Sequence, residues 1–469
     1  MSTEFGKRDR GELVDSTALT VALPFGAVIF FTIFTFLNLP YRIHALGAIR
    51  PTVIATIFFT IIIITNADAL RAKFDNQSTR LLIWLVAWVI ITFPLVRYPG
   101  SILHKNFEIF AKWAIFFPLI VAFVDNERRL RIFVYVFVAI TVFRCLDPLY
   151  LHYADGYWGS KAYWNSSGHF MNRLSGARWD VVDPNGLAEI CAVAVLFLHN
   201  WSMCSGATRR RKLVYFCLAP LLVWTIILSG SRSGFLALAL NVLLIIWFSK
   251  RRALGIAVIL LSALIIIPQL SPIQRDRFES IYDSHTKNAS TTEGRIIGLE
   301  QNLRLFMRRP LFGFGLGTSL EASFNYQGGD HMAHDIYTQT LIELGIGGFI
   351  IMMGYMISVY RTALRMLRAM RNNQGALPPG HILLWLPRTL LIWAAMNFFF
   401  DLASYGLSSY EWYFLGGLTL VTCRLLEARL QNKVPEGAER LLSKDQPSLI
   451  PRLHSRRPVL MDLIPMKSL

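Results

Sequence analysis

The chain of 469 residues predicts an all-α polytopic membrane protein with about twelve transmembrane helices and two long outer loops. Three observations predict it. At 54% hydrophobic and 13% aromatic content the chain is too apolar for a soluble protein of its charge. Apolar runs of membrane-spanning length recur from end to end. Lysine and arginine gather in alternate connections between those runs, the positive-inside pattern of a chain that crosses a bilayer repeatedly.

The runs fall, in order, near 18–39, 50–66, 79–96, 106–124, 129–146, 184–203, 213–229, 234–249, 253–269, 334–360, 383–400 and 408–426. The first follows a polar, mixed-charge stretch with no small-residue cleavage pattern after it, which predicts an uncleaved span rather than a signal peptide. With a cytoplasmic N-terminus, the inner connections carry Arg71, Lys73 and Arg80; Arg128, Arg129 and Arg131; Arg209 to Lys212; Lys250 to Arg252; and Arg361 to Arg371. The formal charge of +17 is then mostly a topology signal and a contact with anionic inner-leaflet lipid. It argues against nucleic acid as a partner, because no soluble basic domain carries it. The five cysteines, Cys145, Cys191, Cys204, Cys217 and Cys423, lie in or beside spans without C-x-x-C spacing, which indicates neither disulfides nor a thiolate metal site.

Four regions follow. Residues 1–269 hold the first nine spans and an outer loop at about 147–183; residues 270–333 form a large charged outer loop; 334–426 hold three more spans; 427–469 form a polar, basic cytoplasmic tail with weak order expected. Loops this long are commonly functional. Tyr150, Tyr153, Tyr157, Trp158, Tyr163 and Trp164 suit either sugar stacking or an interfacial aromatic belt. No internal repeat argues for a two-halves transporter.

The first outer loop ends in Arg178-Trp-Asp-Val-Val-Asp183-Pro184-Asn185-Gly186, where Asp183 and Pro184 make a good N-cap and N1 pair. Arg178 and Asn185 would then stand at the positive end of a helix, where an anion is favoured. Leu228-Ser-Gly-Ser-Arg232-Ser-Gly234 joins two nearly abutting spans by small residues that let helices approach closely. Its arginine lies on the side the inside-positive bias disfavours, and reads either as an anion receiver or as a snorkelling interfacial cation. The same sequence is not a serine-hydrolase elbow, because its central residue is arginine. Arg295 opens an amphipathic stretch ending at Arg308-Arg309-Pro310, a predicted surface helix with Arg304, Arg308 and Arg309 on its solvated face and Arg295 free to face the cavity. Pro310-Leu-Phe-Gly313-Phe-Gly315-Leu-Gly317 is a glycine-dense turn that permits close backbone approach to a ligand.

His334 is expected at or just inside the first turn of the tenth span, with Tyr337 and Thr338 on its face and Glu343 on the opposite one. At a helix N-terminus near arginines its proton is disfavoured, leaving the neutral acceptor a general base requires. Alternatively it is an interfacial histidine bonded to backbone; His331 is the weaker candidate for the base. Glu343 is expected to cap or pair with another span. No outer connection offers a carboxylate cluster or His-x-x-x-His spacing, and Tyr41 to Arg50 contains no carboxylate, so no metal is predicted.

In this order the motifs resemble the O-antigen ligase family, which includes related cell-surface polysaccharide polymerases. The matching pieces are Asp183-Pro-Asn185-Gly; Ser231-Arg232-x-Gly234; Gly294-Arg295 with Pro310-Leu-Phe-Gly313-Phe-Gly315; and His334-Asp335-x-Tyr337 with Glu343-x-Gly345-x-x-Gly348, over roughly residues 180–350. Asp335 replaces the asparagine usual in the family. The resemblance implies a GT-C-like glycosyltransferase architecture in a bacterial inner membrane, both termini cytoplasmic and the site facing the periplasm. It implies inverting transfer, without metal or other cofactor, of a glycan from undecaprenyl diphosphate to a hydroxyl of lipid A-core or of another glycan. Arg232 and Arg295 would hold the diphosphate, His334 would deprotonate or orient the acceptor, and Arg178, Asn185, Asp335 and Tyr337 would bind substrate. A polymerase is the nearest alternative. A lipid-linked glycan transporter is the alternative of another class, with Lys112 and Glu189 as its intramembrane ionisable candidates.

Overall fold

The structure is a computed structural model that describes residues 25–43, 49–159, 172–180, 182–249, 252–270, 275, 290–328, 333, 335–373, 375–404 and 406–431. The chain divides into two compact units, Met1–Glu427 and Ala428–Leu469, and the architecture below is that of the first.

Among the described residues every regular element is a helix: α1 (Phe25–Phe36), α2 (Pro51–Thr65), α3 (Ala67–Phe74), α4 (Gln77–Thr92), α5 (Pro99–Phe123), α6 (Glu127–Asp155), α7 (Pro184–Ser202), α8 (Arg209–Ser229), α9 (Arg232–Trp247), α10 (Arg252–Ile266), α11 (Ser290–Arg308), α12 (Ser319–Gln327), α13 (Ile336–Asn372), α14 (Ile382–Phe400) and α15 (Glu411–Gln431). Each predicted apolar run is occupied by one of them. Five, namely α5, α6, α8, α13 and α14, are long and apolar enough to cross a membrane, and α2 with α3, bent by 90°, makes a sixth if taken as one span. The difference from about twelve has local causes. α1, α4 and α9 are too short, and α7 and α15 interrupt their apolar faces with Glu189, His199 and Asn200 or with Glu411, Arg424 and Glu427.

Connections at the two ends of the helices sort into two layers. One layer joins Asn38 to the Trp179 carbonyl at 2.9 Å, Arg42 to Asp147 at 2.9 Å, the Leu174 amide to the Leu228 carbonyl at 3.0 Å and the Ile336 amide to the Asp401 carbonyl at 3.1 Å. The other joins Lys73 to the Ala122 carbonyl at 2.8 Å, His381 to Glu127 at 2.9 Å and Arg424 to the Val124 carbonyl at 3.2 Å. These layers coincide with the outer and inner sets that the charge pattern assigns, and are named so below.

The core lies where α6, α7, α14 and α15 meet. α7 is buried around nearly its whole circumference, with Glu189 and Asn200 enclosed among its apolar residues. Phe414 packs on Phe137 with ring centres 4.4 Å apart, and Phe137 stacks on Trp393 at 5.8 Å.

α13 is not one continuous helix. Its 37 residues would extend about 55 Å, well beyond the ~30 Å hydrocarbon thickness, and it breaks at Gly345 (φ 68°, ψ −171°). The break frees backbone groups that must be paired inside the protein. The Ile342 and Glu343 carbonyls accept from the Phe314 and Gly315 amides at 2.8 and 2.9 Å, and the Leu344 carbonyl from the Trp88 indole at 2.9 Å. The Ile346 amide donates to the Pro310 carbonyl at 2.8 Å. The glycine-dense turn therefore approaches protein backbone closely: a Cβ on Gly313 would meet the Glu343 carbonyl oxygen at 2.5 Å.

Candidate functional site

The arginine hairpin is built by helix ends. α8 stops at Ser229 because Gly230 takes a left-handed conformation (φ 57°), and Ser231 caps α9 by accepting from the Gly234 amide at 3.1 Å. Arg232 is thereby the first residue of α9. A Cβ on Gly234 would stand 2.2 Å from that of Ala188, so the first turns of α9 and α7 touch. α7 starts as its sequence predicts, with Pro184 at N1 and Asp183 accepting from the Gly186 amide at 2.7 Å. Two positive helix ends thus lie side by side with a half-buried arginine on one of them. A cation at a helix N-terminus is unfavourable by a few tenths to ~1 kcal/mol. Against an anion the same residue becomes an asset.

The fold brings Asn185 to this hairpin but not Arg178. Arg178 is exposed, pairs with Asp155 at 3.2 Å and lies over the Tyr157 ring. The arginine that reaches Asn185 is Arg173, whose Nη2 donates to Asn185 Oδ1 at 2.8 Å and whose Nε donates to the Ser229 carbonyl at 2.9 Å. The Ser231 hydroxyl donates to the same Asn185 oxygen at 2.9 Å. Downstream, Asp180 ties the loop to α6 through a bidentate bond with buried Arg144, at 2.7 and 2.9 Å. No periodicity or motif marks Arg173. The one available signal is its place in a long aromatic loop, which Arg178 shares.

His334 lies outside the described residues, as does His331; its neighbours are placed. Asp335 is the N-cap of α13, extended at φ −142°, and the helix begins at Ile336. Asp335 Oδ1 accepts from the Thr338 amide at 2.6 Å and Oδ2 from the Thr338 hydroxyl at 2.5 Å. A carboxylate accepts both bonds, whereas an asparagine amide nitrogen could not accept the second. Tyr337 points its hydroxyl to the Phe398 carbonyl of α14 at 2.7 Å, a bond between helices. Glu343, expected to meet another span, accepts instead from the Gly317 amide of the glycine turn at 2.7 Å and from Gln339 of its own helix at 3.1 Å.

Asp401, which no sequence pattern singles out, stands against the start of α13. Its carbonyl takes the Ile336 amide, and its carboxylate takes the Trp412 indole at 2.7 Å. Burial pushes that carboxyl well above the usual carboxylate range, against the opposing effect of the indole bond. Arg295 lies within α11, though its side chain is outside the described set. α11 itself is fixed to α13 by Asn302 donating to Thr338 at 3.1 Å. Arg304 and Arg308 are exposed on it, as predicted for a solvated face, Arg304 pairing with Glu300 at 2.6 Å.

The hairpin, the surface helix, the glycine turn and the break in α13 form a consecutive block, and a family comparison returns the same block. Residues 217–353 match the O-antigen ligase family. A comparison with curated proteins finds no match to this chain. The O-antigen ligase segment runs from within α8 to just beyond the break in α13, so it contains Arg232, Arg295, His334 and Gly345. Arg173, Asn185 and Asp401 lie outside the O-antigen ligase segment but are folded onto it.

Proposed function

We propose that this protein transfers a glycan from undecaprenyl diphosphate to a sugar hydroxyl of lipid A-core, with inversion and without metal, at the periplasmic face of a bacterial inner membrane. The observation that carries the reading is the convergence of the α7 and α9 N-termini with Arg173 and Arg232, in and beside the O-antigen ligase segment. Such a place favours a multiply charged anion. Arg232 and Arg295 hold the diphosphate and offset the charge that grows on it. The acceptor oxygen bonds to the anomeric carbon while its proton passes to His334. The bond from that carbon to the diphosphate oxygen breaks, and the electron pair leaves with undecaprenyl diphosphate. No nucleotide or covalent enzyme intermediate is needed. The alternation of connections between two layers supports about twelve crossings in a GT-C-like arrangement.

The test is an assay of purified protein with undecaprenyl-diphosphate-linked glycan and lipid A-core, in EDTA and without nucleotide, wild type against His334→Ala. Glycan on lipid A-core with wild type alone is the expected result. Extension of glycan on the lipid carrier would make the protein a polymerase, and transbilayer movement of the lipid-linked glycan without transfer would make it a transporter.

A further inference from the structure

We propose that Arg173 is a positioning residue for Arg232: one buried guanidinium that clamps both flanks of the arginine hairpin and sets where the Arg232 charge stands. This rests on the transfer reading above.

Arg173 is 9% exposed and is held in place by its own loop, through Leu174 to Leu228 at 3.0 Å and Ser175 to the Trp158 carbonyl at 2.9 Å. Two of its bonds end on different elements, the last residue of α8 and the first turn of α7. Ser231, immediately before Arg232, completes the link through Asn185. The Ser231 hydroxyl has a single proton, and it goes to Asn185. Its oxygen is left to accept from the Gly234 amide at 3.1 Å and the Ser233 hydroxyl at 3.2 Å. The cap orientation that launches Arg232 is therefore determined by Asn185, and Asn185 is held by Arg173. A planar fork with two donors in fixed directions can bridge these two acceptors, and a lysine ammonium on a flexible stem cannot do so equivalently. Arg173 also accounts for Asn185: within the described residues its Oδ1 is committed to the hairpin.

The experiment is steady-state transfer by the purified full chain with undecaprenyl-diphosphate-linked glycan and lipid A-core. It compares Arg173→Ala, Arg173→Lys and Ser231→Ala, each alone and in an Arg232→Lys background. Misplacing a catalytic charge by about 1 Å costs on the order of a hundredfold. Arg173→Ala should therefore lower kcat about a hundredfold with little change in KM for the donor, and Arg173→Lys should recover little of it. In the Arg232→Lys background the same change should cost less than ~3-fold, because coupled residues are not additive. Wild-type kinetics in Arg173→Ala, or the same loss in both backgrounds, overturns the proposal. If Arg173→Ala fails to fold, Ser231→Ala carries the test, supporting it when non-additive with Arg232→Lys and overturning it when additive. Wild-type protein that transfers nothing would sink the functional reading, and this inference with it.

Discussion

The outer and inner layers both hold arginines, and they use them differently. Three inner cations end on backbone carbonyls, Lys73 on Ala122, Arg424 on Val124 and Arg211 on Gly380 at 3.4 Å, while Arg129 pairs with Asp125 at 2.9 Å and Arg388 reaches the Asn200 side chain at 2.8 Å. Outer arginines also engage side chains on separate elements: Arg42 with Asp147, Arg144 with Asp180, Arg173 with Asn185. Lys73 and Arg424 stand at the C-terminal end of α5, where the macrodipole welcomes a cation. The outer pattern needs a particular fork at a particular place.

Removing the hairpin charge is expected to have the largest effect. Arg232→Ala should abolish measurable transfer, since loss of one electrostatic contact to a developing charge alone costs about a hundredfold to a thousandfold. Thermal unfolding in detergent should remain close to wild type. A variant that still transfers at a tenth of the wild-type rate would place the diphosphate elsewhere. Next comes the buried pair behind the hairpin. Arg144→Met should lower stability by about 3–5 kcal/mol, because it breaks a buried bidentate ion pair from one side. An unchanged melting temperature would make that pair dispensable and weaken the contrast between layers.

The apolar runs and the capped start of α7 were legible because each rests on a local rule: run length, a spacing, or Asp before Pro. The small residues of the hairpin announced a close approach of the two spans they join, whereas Gly234 of α9 packs on Ala188 of α7. Three features were not legible. Arg173 and Arg178 sit five positions apart in one irregular loop, and only the fold decides which turns to Asn185 and which to Asp155. Apolar character continues through Gly345, so hydropathy carries no trace of the break. The glycines from 313 to 317 announce a close approach without saying to what. A ligand was the expectation, and the carbonyls freed by the broken helix are the finding. Arg295 and His334 remain expectations carried by their motifs.

Glycine substitutions sharpen that last point at moderate cost. Gly345→Ala puts a Cβ 2.3 Å from the Leu311 carbonyl oxygen at positive φ, and should destabilise by about 1–3 kcal/mol. Gly298→Ala, inside α11 with nothing within 4 Å, should instead stabilise by roughly 0.5–1 kcal/mol. Melting temperatures of the two variants should move in opposite directions. Equal shifts would mean that Gly345 serves as a flexible joint and not as a fixed break.

The smallest expected effect tests the inner layer. Arg211 donates to the Gly380 carbonyl and lies over the Trp201 ring, on the layer opposite the hairpin. Both contacts are partly solvated, and Arg209, Arg210 and Lys212 stand beside it to keep the charge on that side. Arg211→Gln should therefore change stability by no more than about 0.5 kcal/mol and leave kcat for transfer at the wild-type value. The same substitution at Arg173 removes a fork that no neighbour replaces and should cost most of the activity. Equal losses at the two positions would show that charge count, and not the placement of each guanidinium, is what the outer layer requires.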